Sequence, residues 1–196
     1  KMLNKSDFSC VGMVTASCDL QKLCIAVEEA KLFDLEPVLC FGFLTDIFAK
    51  WEALPTDPSA ELTPEQQQTY DLINGSTYLV GSQTKRHLGI KRVWIYYAYA
   101  KYLIINAHSD TPNGLVNKQN EWSMPVPLRE LNDLSNKYKN MGRETLQNLR
   151  EYLCINKEIF PKFDACGCTL SCGCIGACSC GSPTKLSGFK YRSVKK

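Results

Sequence analysis

GIKRVWIYYAYAKYLIINAHSD, residues Gly89 to Asp110, runs directly into TPNGLVNKQNEWSMPVP, residues Thr111 to Pro127. From Val93 to Ile105 the first stretch is apolar almost all the way round a helix and is interrupted only by Lys101. A helix with no polar face belongs inside a protein rather than on its surface. It is the expected core helix, with Tyr96, Tyr97, Tyr99 and Tyr102 packed in the core and their hydroxyls reaching polar partners at its rim. The second stretch is polar, contains Asn113-Gly114 and carries Pro112, Pro125 and Pro127, so it should leave the helix as a long exposed loop. Loops of that length in compact domains are usually functional or disordered.

Working outward, other helices surround this one. Ser17 to Asp19 offer N-caps, and Leu20, Leu23, Cys24 and Val27 follow at helical spacing towards Leu32, with Glu28 and Glu29 facing water. Pro37 suits a first helical position, and the run from Val38 through Phe48 to Trp51 makes a second, strongly apolar helix. PTDPSAELTP is a proline-rich linker, after which Thr63-Pro64-Glu65 caps a short helix that Asn74-Gly75-Ser76 stops. Tyr78 to Val80 fit a brief strand or a turn equally well, ahead of a polar stretch from Gly81 to Arg86. Beyond the loop, Leu131, Leu134, Tyr138, Met141, Thr145, Leu149 and Tyr152 form one stripe of a long amphipathic helix. The expected fold is therefore all-α: a small helical bundle with a long loop and extended terminal arms. Residues 1–14 are an N-terminal arm, 15–163 the helical domain and 164–196 a Cys-rich basic tail.

Composition is that of an ordinary globular chain, 196 residues with 44% apolar and 22% charged. The net charge of +3 is unevenly spread: residues 161–196 hold six cations against Asp164, a surplus of +5, which leaves −2 for the rest. A near-neutral body with a basic end argues for a tail that touches something acidic, and against a dedicated nucleic-acid reader. No apolar run is long enough to span a membrane, and KMLNKSDFSC lacks a signal peptide's apolar core, so a soluble chain of cytosolic origin is expected.

The eleven cysteines fall into two groups. Cys10, Cys18, Cys24, Cys40 and Cys154 are scattered and read as small buried hydrophobes. The other six form Cys-x-Cys three times on a six-residue period: Cys166/Cys168, Cys172/Cys174 and Cys178/Cys180. In extended backbone residues i and i+2 share a side, so two such pairs can supply a tetrahedral four-thiolate site of the structural zinc type. Gly167, Gly173, Gly176 and Gly181 let the backbone wrap closely. Familiar zinc sites place at least two residues between paired cysteines, and six thiolates exceed one site, so reduced thiols in a tail are the competing reading. A redox role is weaker, because closure within Cys-x-Cys is strained and no thioredoxin-like pattern surrounds it.

Signals for catalysis are sparse. His87 and His108 are the two histidines, and an unbroken helix between them would hold them about 30 Å apart. No nucleophile-elbow, zincin, Walker or dinucleotide-binding pattern occurs. Arg86, Lys91 and Arg92 form a small basic group at the start of the core helix, where they oppose its dipole. A non-enzymatic protein is expected.

The order of features resembles a known family. EEAKLFDLEPVLC (Glu28–Cys40), YDLINGSTY (Tyr70–Tyr78), the stretch Gly89–Pro125 and EYLCINKEIFPKF (Glu151–Phe163) resemble the small helical head-tail connector, or adaptor, proteins of tailed phages, and look closest to those of crAss-like phages. The strongest points of likeness are the Tyr/Ala-rich helix entering Thr111, Pro112, Asn113, Gly114 and Lys118, and Asn156 with Phe160-Pro161. The cysteine repeat lies outside the likeness. The resemblance implies a virion protein that forms a homo-oligomeric ring, commonly twelvefold, docked beneath the portal protein. Such a ring carries the next tail component and lets DNA pass non-specifically through its lumen. Head-to-tail contacts that close make rings of this kind. Trp122 and Met124, apolar residues in a polar loop, suit an interface with a neighbouring subunit, or equally fold back on their own domain. A helical nucleic-acid- or protein-binding module with a zinc-bound basic tail is the alternative.

Overall fold

A computed structural model describes residues 3–11, 19–55, 61–111, 114–117 and 126–165. The fold is predominantly helical, with two small antiparallel hairpins that the all-α expectation did not include.

Helix α1 spans Leu20–Ala30, and its N-cap is Asp19, whose carboxylate accepts from the amides of Gln21 and Lys22 at 3.1 Å each. The helix widens into a π-helical segment, Lys31–Leu35, before the short α2, Glu36–Leu39. Pro37 explains the widening, because it has no N–H and its ring collides with the preceding turn of a regular α-ladder. The apolar run expected as one helix from Pro37 to Trp51 is broken at Cys40, which adopts φ +64° and caps α2 through its N–H to the Glu36 carbonyl at 2.9 Å. Helix α3, Phe41–Glu52, then sets off in a new direction and buries Phe43, Leu44 and Ile47. Helix α4, Pro64–Asn74, opens on the expected cap: Gln66 Oε1 accepts from the Thr63 amide at 2.9 Å, and Thr63 Oγ accepts from the Gln66 amide.

Gly75 ends α4 at φ +98° and leads into strand β1, Ser76–Val80, which pairs antiparallel with β2, Gln83–His87. This settles the open choice at Tyr78–Val80 as strand, and makes most of the polar stretch after Gly81 its partner. Helix α5, Gly89–Ala107, is the core helix. It lies between α1 and the long α6, Leu128–Ile155, and also packs on α4. Trp94 donates to the Val27 carbonyl at 2.8 Å, Ser135 donates to the Ala100 carbonyl at 2.8 Å, and Gly142 presses its bare Cα face on the Tyr97 ring. Tyr96, Tyr97 and Tyr102 are buried and Tyr99 half-buried, as their place on an apolar helix requires.

The stretch after α5, expected as loop, contains the second hairpin: β3, His108–Thr111, pairs with β4, Gly114–Asn117. In α6 the expected stripe is buried from Gly142 to Leu153, Tyr138 and Met141 are half-buried, and the first turns differ, since Leu128 and Leu134 are exposed. On α5, Leu103 and Ile104 are half-exposed too.

The N-terminal segment packs on the helical body. Lys5–Cys10 is a 3-10 helix with Phe8 buried, tied down by Lys91 to Asp7 at 2.8 Å, while Tyr138 donates its hydroxyl to the Val11 carbonyl. Helix α7, Pro161–Ala165, buries Phe163 edge-on against Phe43, with ring centroids 5.4 Å apart. Cys10 and Cys24 are exposed, not buried as expected, and Cys40 is half-buried. No described helix is long and apolar enough to cross a membrane.

Candidate functional site

The loop expected to meet another subunit starts at the C-terminus of α5. Lys22 from α1 reaches that terminus and donates its ammonium to the carbonyls of Ile105 and His108, a cation placed where the helix leaves carbonyls without intrahelical partners. The root of the β3–β4 hairpin is thereby fastened to α1. Of the expected interface residues, Thr111 and Gly114 are cross-strand partners in this hairpin. Pro112, Asn113, Lys118, Trp122 and Met124 lie outside the described residues, as do Cys166, Cys168, Cys172, Cys174, Cys178 and Cys180 of the tail. Among the described residues, no group of three or more His, Cys, Asp or Glu side chains could hold a metal ion.

The two histidines sit at opposite ends of an unbroken α5, His87 just before it and His108 just after, about 30 Å apart across a 19-residue helix. His87 is completely buried. Its Nε2 lies 3.0 Å from Ser76 Oγ and its ring stacks on Tyr152 at a centroid distance of 4.2 Å, while Nδ1 has no hydrogen-bond partner among the described residues. Burial lowers its pKa to about 4 against a weaker opposing pull from the Asp71 carboxylate, so the ring is neutral. The Ser76–His87 contact joins two residues that are cross-strand partners at the ends of β1 and β2. Tyr78, also in this cluster, has its pKa pushed up to about 12 by burial and then by Glu151, whose carboxylate also pairs with Lys85.

Sequence reasoning missed a cleft between α1, α5 and α6, of about 230 Å³. Ala100, Ile104 and Ile105 give it apolar lining, and Glu29 and Lys139 bring opposite charges to it from α1 and α6. Glu29, expected to face water beside Glu28, is half-buried here. Lys101, the one charge inside the apolar run, also lines this cleft, with its ammonium 3.2 Å from Asp34 and over the exposed Phe33 ring at 5.6 Å. Burial raises the pKa of the neighbouring Tyr97 hydroxyl, with Asp34 adding to the shift and Arg143 opposing it. The faint signal in the sequence was Lys101 itself, the one cation within the apolar run from Val93 to Ile105.

The chain belongs to a family of unknown function, DUF6712, whose model matches residues 36–172, well over half of its length. That match takes in Cys166, Cys168 and Cys172 of the tail. No curated protein and no solved structure matches the chain.

Proposed function

We propose that this protein is a structural, non-catalytic virion component: a head-tail connector that forms a homo-oligomeric ring between the portal protein and the next tail component, with DNA passing non-specifically through its lumen. The observation that carries this reading is the placement of the β3–β4 hairpin at the far end of the core helix, rooted by Lys22. A small helical bundle of this kind suits a ring subunit, since its rigid body can hold one connecting segment out towards a neighbour. In this reading Thr111, Pro112, Asn113, Gly114 and Lys118, with Trp122 and Met124 as apolar anchors, meet the adjacent subunit or the portal. The family resemblance in the sequence supports it, as does the heterologous contact geometry by which identical subunits close into rings.

The tail then holds a neighbouring component. Its thiolates at Cys166, Cys168, Cys172, Cys174, Cys178 and Cys180 suit a structural zinc ion, which would tie the segment into a compact clamp when bound. Native mass spectrometry and electron microscopy of the purified protein with its portal test the assignment. Closed rings bound to the portal are expected, and a monomer that ignores the portal ends the connector reading.

The uneven charge favours one second reading, a helical module that presents a zinc-bound basic tail to nucleic acid. Its mark would be strong nucleic-acid affinity that falls steeply with salt and is lost when residues 164–196 are deleted. A connector's lumen gives only weak, sequence-independent binding.

A further inference from the structure

From the two sides of α6, we infer how one subunit seats on the next: the cleft between α1, α5 and α6 of one copy receives the stripe Glu130–Leu134–Lys137 of a second copy. The inference rests on the ring reading above and names its contact surface. A cleft of about 230 Å³ is smaller than the roughly 300–1,000 Å³ of most small-molecule pockets, and suits a single inserted side chain. Its apolar lining, Ala100, Ile104 and Ile105, calls for an aliphatic group. Of its four charged lining residues Lys101 and Asp34 pair with each other at 3.2 Å, and Glu29 on α1 and Lys139 on α6 call for a cation and an anion flanking that group.

The described surface of this chain presents that combination. Glu130, Leu134 and Lys137 are exposed and fall at i, i+4 and i+7 of α6, so they lie along one line of its surface, spanning about 10 Å. Leu134 remains 38% exposed although it belongs to the helix's apolar stripe. In the cleft Leu134 meets Ile104 and Ile105, Lys137 faces Glu29 and Glu130 faces Lys139. Ser135 and Lys139, which line the cleft, point about 150° around α6 from this stripe at 100° per residue. Donor and acceptor therefore lie on opposite flanks of one helix. A subunit cannot satisfy its own cleft with its own stripe, and two subunits joined this way each leave one surface free. Such a heterologous contact repeats until it closes.

Charge exchange tests the pairing in the full-length chain. Lys137→Glu and Glu29→Lys alter charges that the core does not use, and Leu134→Ser removes an exposed side chain, so all three should melt like the parent. Sedimentation velocity over a concentration series reads self-association. Each single variant should weaken it by about tenfold, the usual scale for losing a charge or an anchor at such a contact, and Lys137→Glu with Glu29→Lys together should recover most of the loss. Rings that persist unchanged in all the single variants, or a double variant no better than either single, overturn this contact and leave the ring reading intact. A parent protein that stays monomeric with portal present overturns both.

Discussion

Gly89 leaves no space for a side chain beside Gly75: a methyl group on Gly89 would lie 2.5 Å from the Gly75 amide nitrogen and 2.3 Å from the Ile73 carbonyl oxygen. Both glycines hold positive φ, +98° at Gly75 and +78° at Gly89, and between them they close the root of the β1–β2 hairpin where it joins α4 to α5. Gly89→Ala should cost at least about 2 kcal/mol, since it adds a steric clash with backbone to a conformation that alanine disfavours. Gly81, at φ +61° with open space around it, should tolerate alanine better. Chemical denaturation of the two variants compares them directly.

His87 makes stability depend on pH. Its folded pKa of about 4 lies below the usual 6.5, so between these values the unfolded chain binds the extra proton and folding loses ground as pH falls. The contribution is complete above about pH 6.5, declines through the window down to about 4, and is lost below it, with an amplitude on the order of 3 kcal/mol. Urea midpoints from pH 7 to pH 5 should slope downward in the parent and flatten in His87→Gln. An unchanged slope in that variant would assign the effect to other groups.

Removing Phe163 should be costly although it lies next to the tail. It is fully buried and packs edge-on against Phe43, so Phe163→Ala opens a cavity and should lower stability by about 3–5 kcal/mol. Truncation after residue 165 keeps Phe163 and should retain its contribution. Thermal denaturation of both proteins checks the contrast.

How much of this was legible in the sequence depends on the range of the forces involved. The core helix could be read because its apolar character needs no partner to be visible, and Thr63 with Gln66 because a capping box is local. The break at Cys40 could not, since Phe41, Phe43 and Leu44 continue the apolar run whether or not the helix changes direction there. The β1–β2 hairpin was hidden for a similar reason: Tyr78 and His87 are held by Tyr152, more than sixty positions along the chain. Asn113-Gly114 did carry a hairpin signal, but the surrounding polarity pointed to loop. The cleft was invisible because Glu29 and Lys139 become neighbours only when α1 and α6 flank the same helix.

The loop between β4 and α6 gives one more test. Trp122→Ser with Met124→Ser should leave the melting temperature within a few degrees and reduce ring assembly, if these residues meet a neighbour. Intact rings would return the loop to ordinary surface, and a large drop in melting temperature would show that both side chains serve their own domain. Light scattering and calorimetry on the same preparation separate the three outcomes.

The burial of Phe163 against Phe43 also fixes the point from which the cysteine segment continues. Cys166 is three residues beyond that anchor and can lie no more than about 11 Å from it, and Cys180 no more than about 60 Å, at 3.3–3.6 Å per residue. In any assembly of identical subunits, every copy then carries six thiols within about 60 Å of a known point on α3. Within that radius their effective concentration reaches the millimolar range, far above that of the free chain in solution. Under the proposed zinc-bound ring, neighbouring tails would compete for or share one metal ion according to how far apart the assembly sets these anchor points, so subunit spacing, rather than thiol chemistry alone, would decide whether a cluster forms within a chain or between chains.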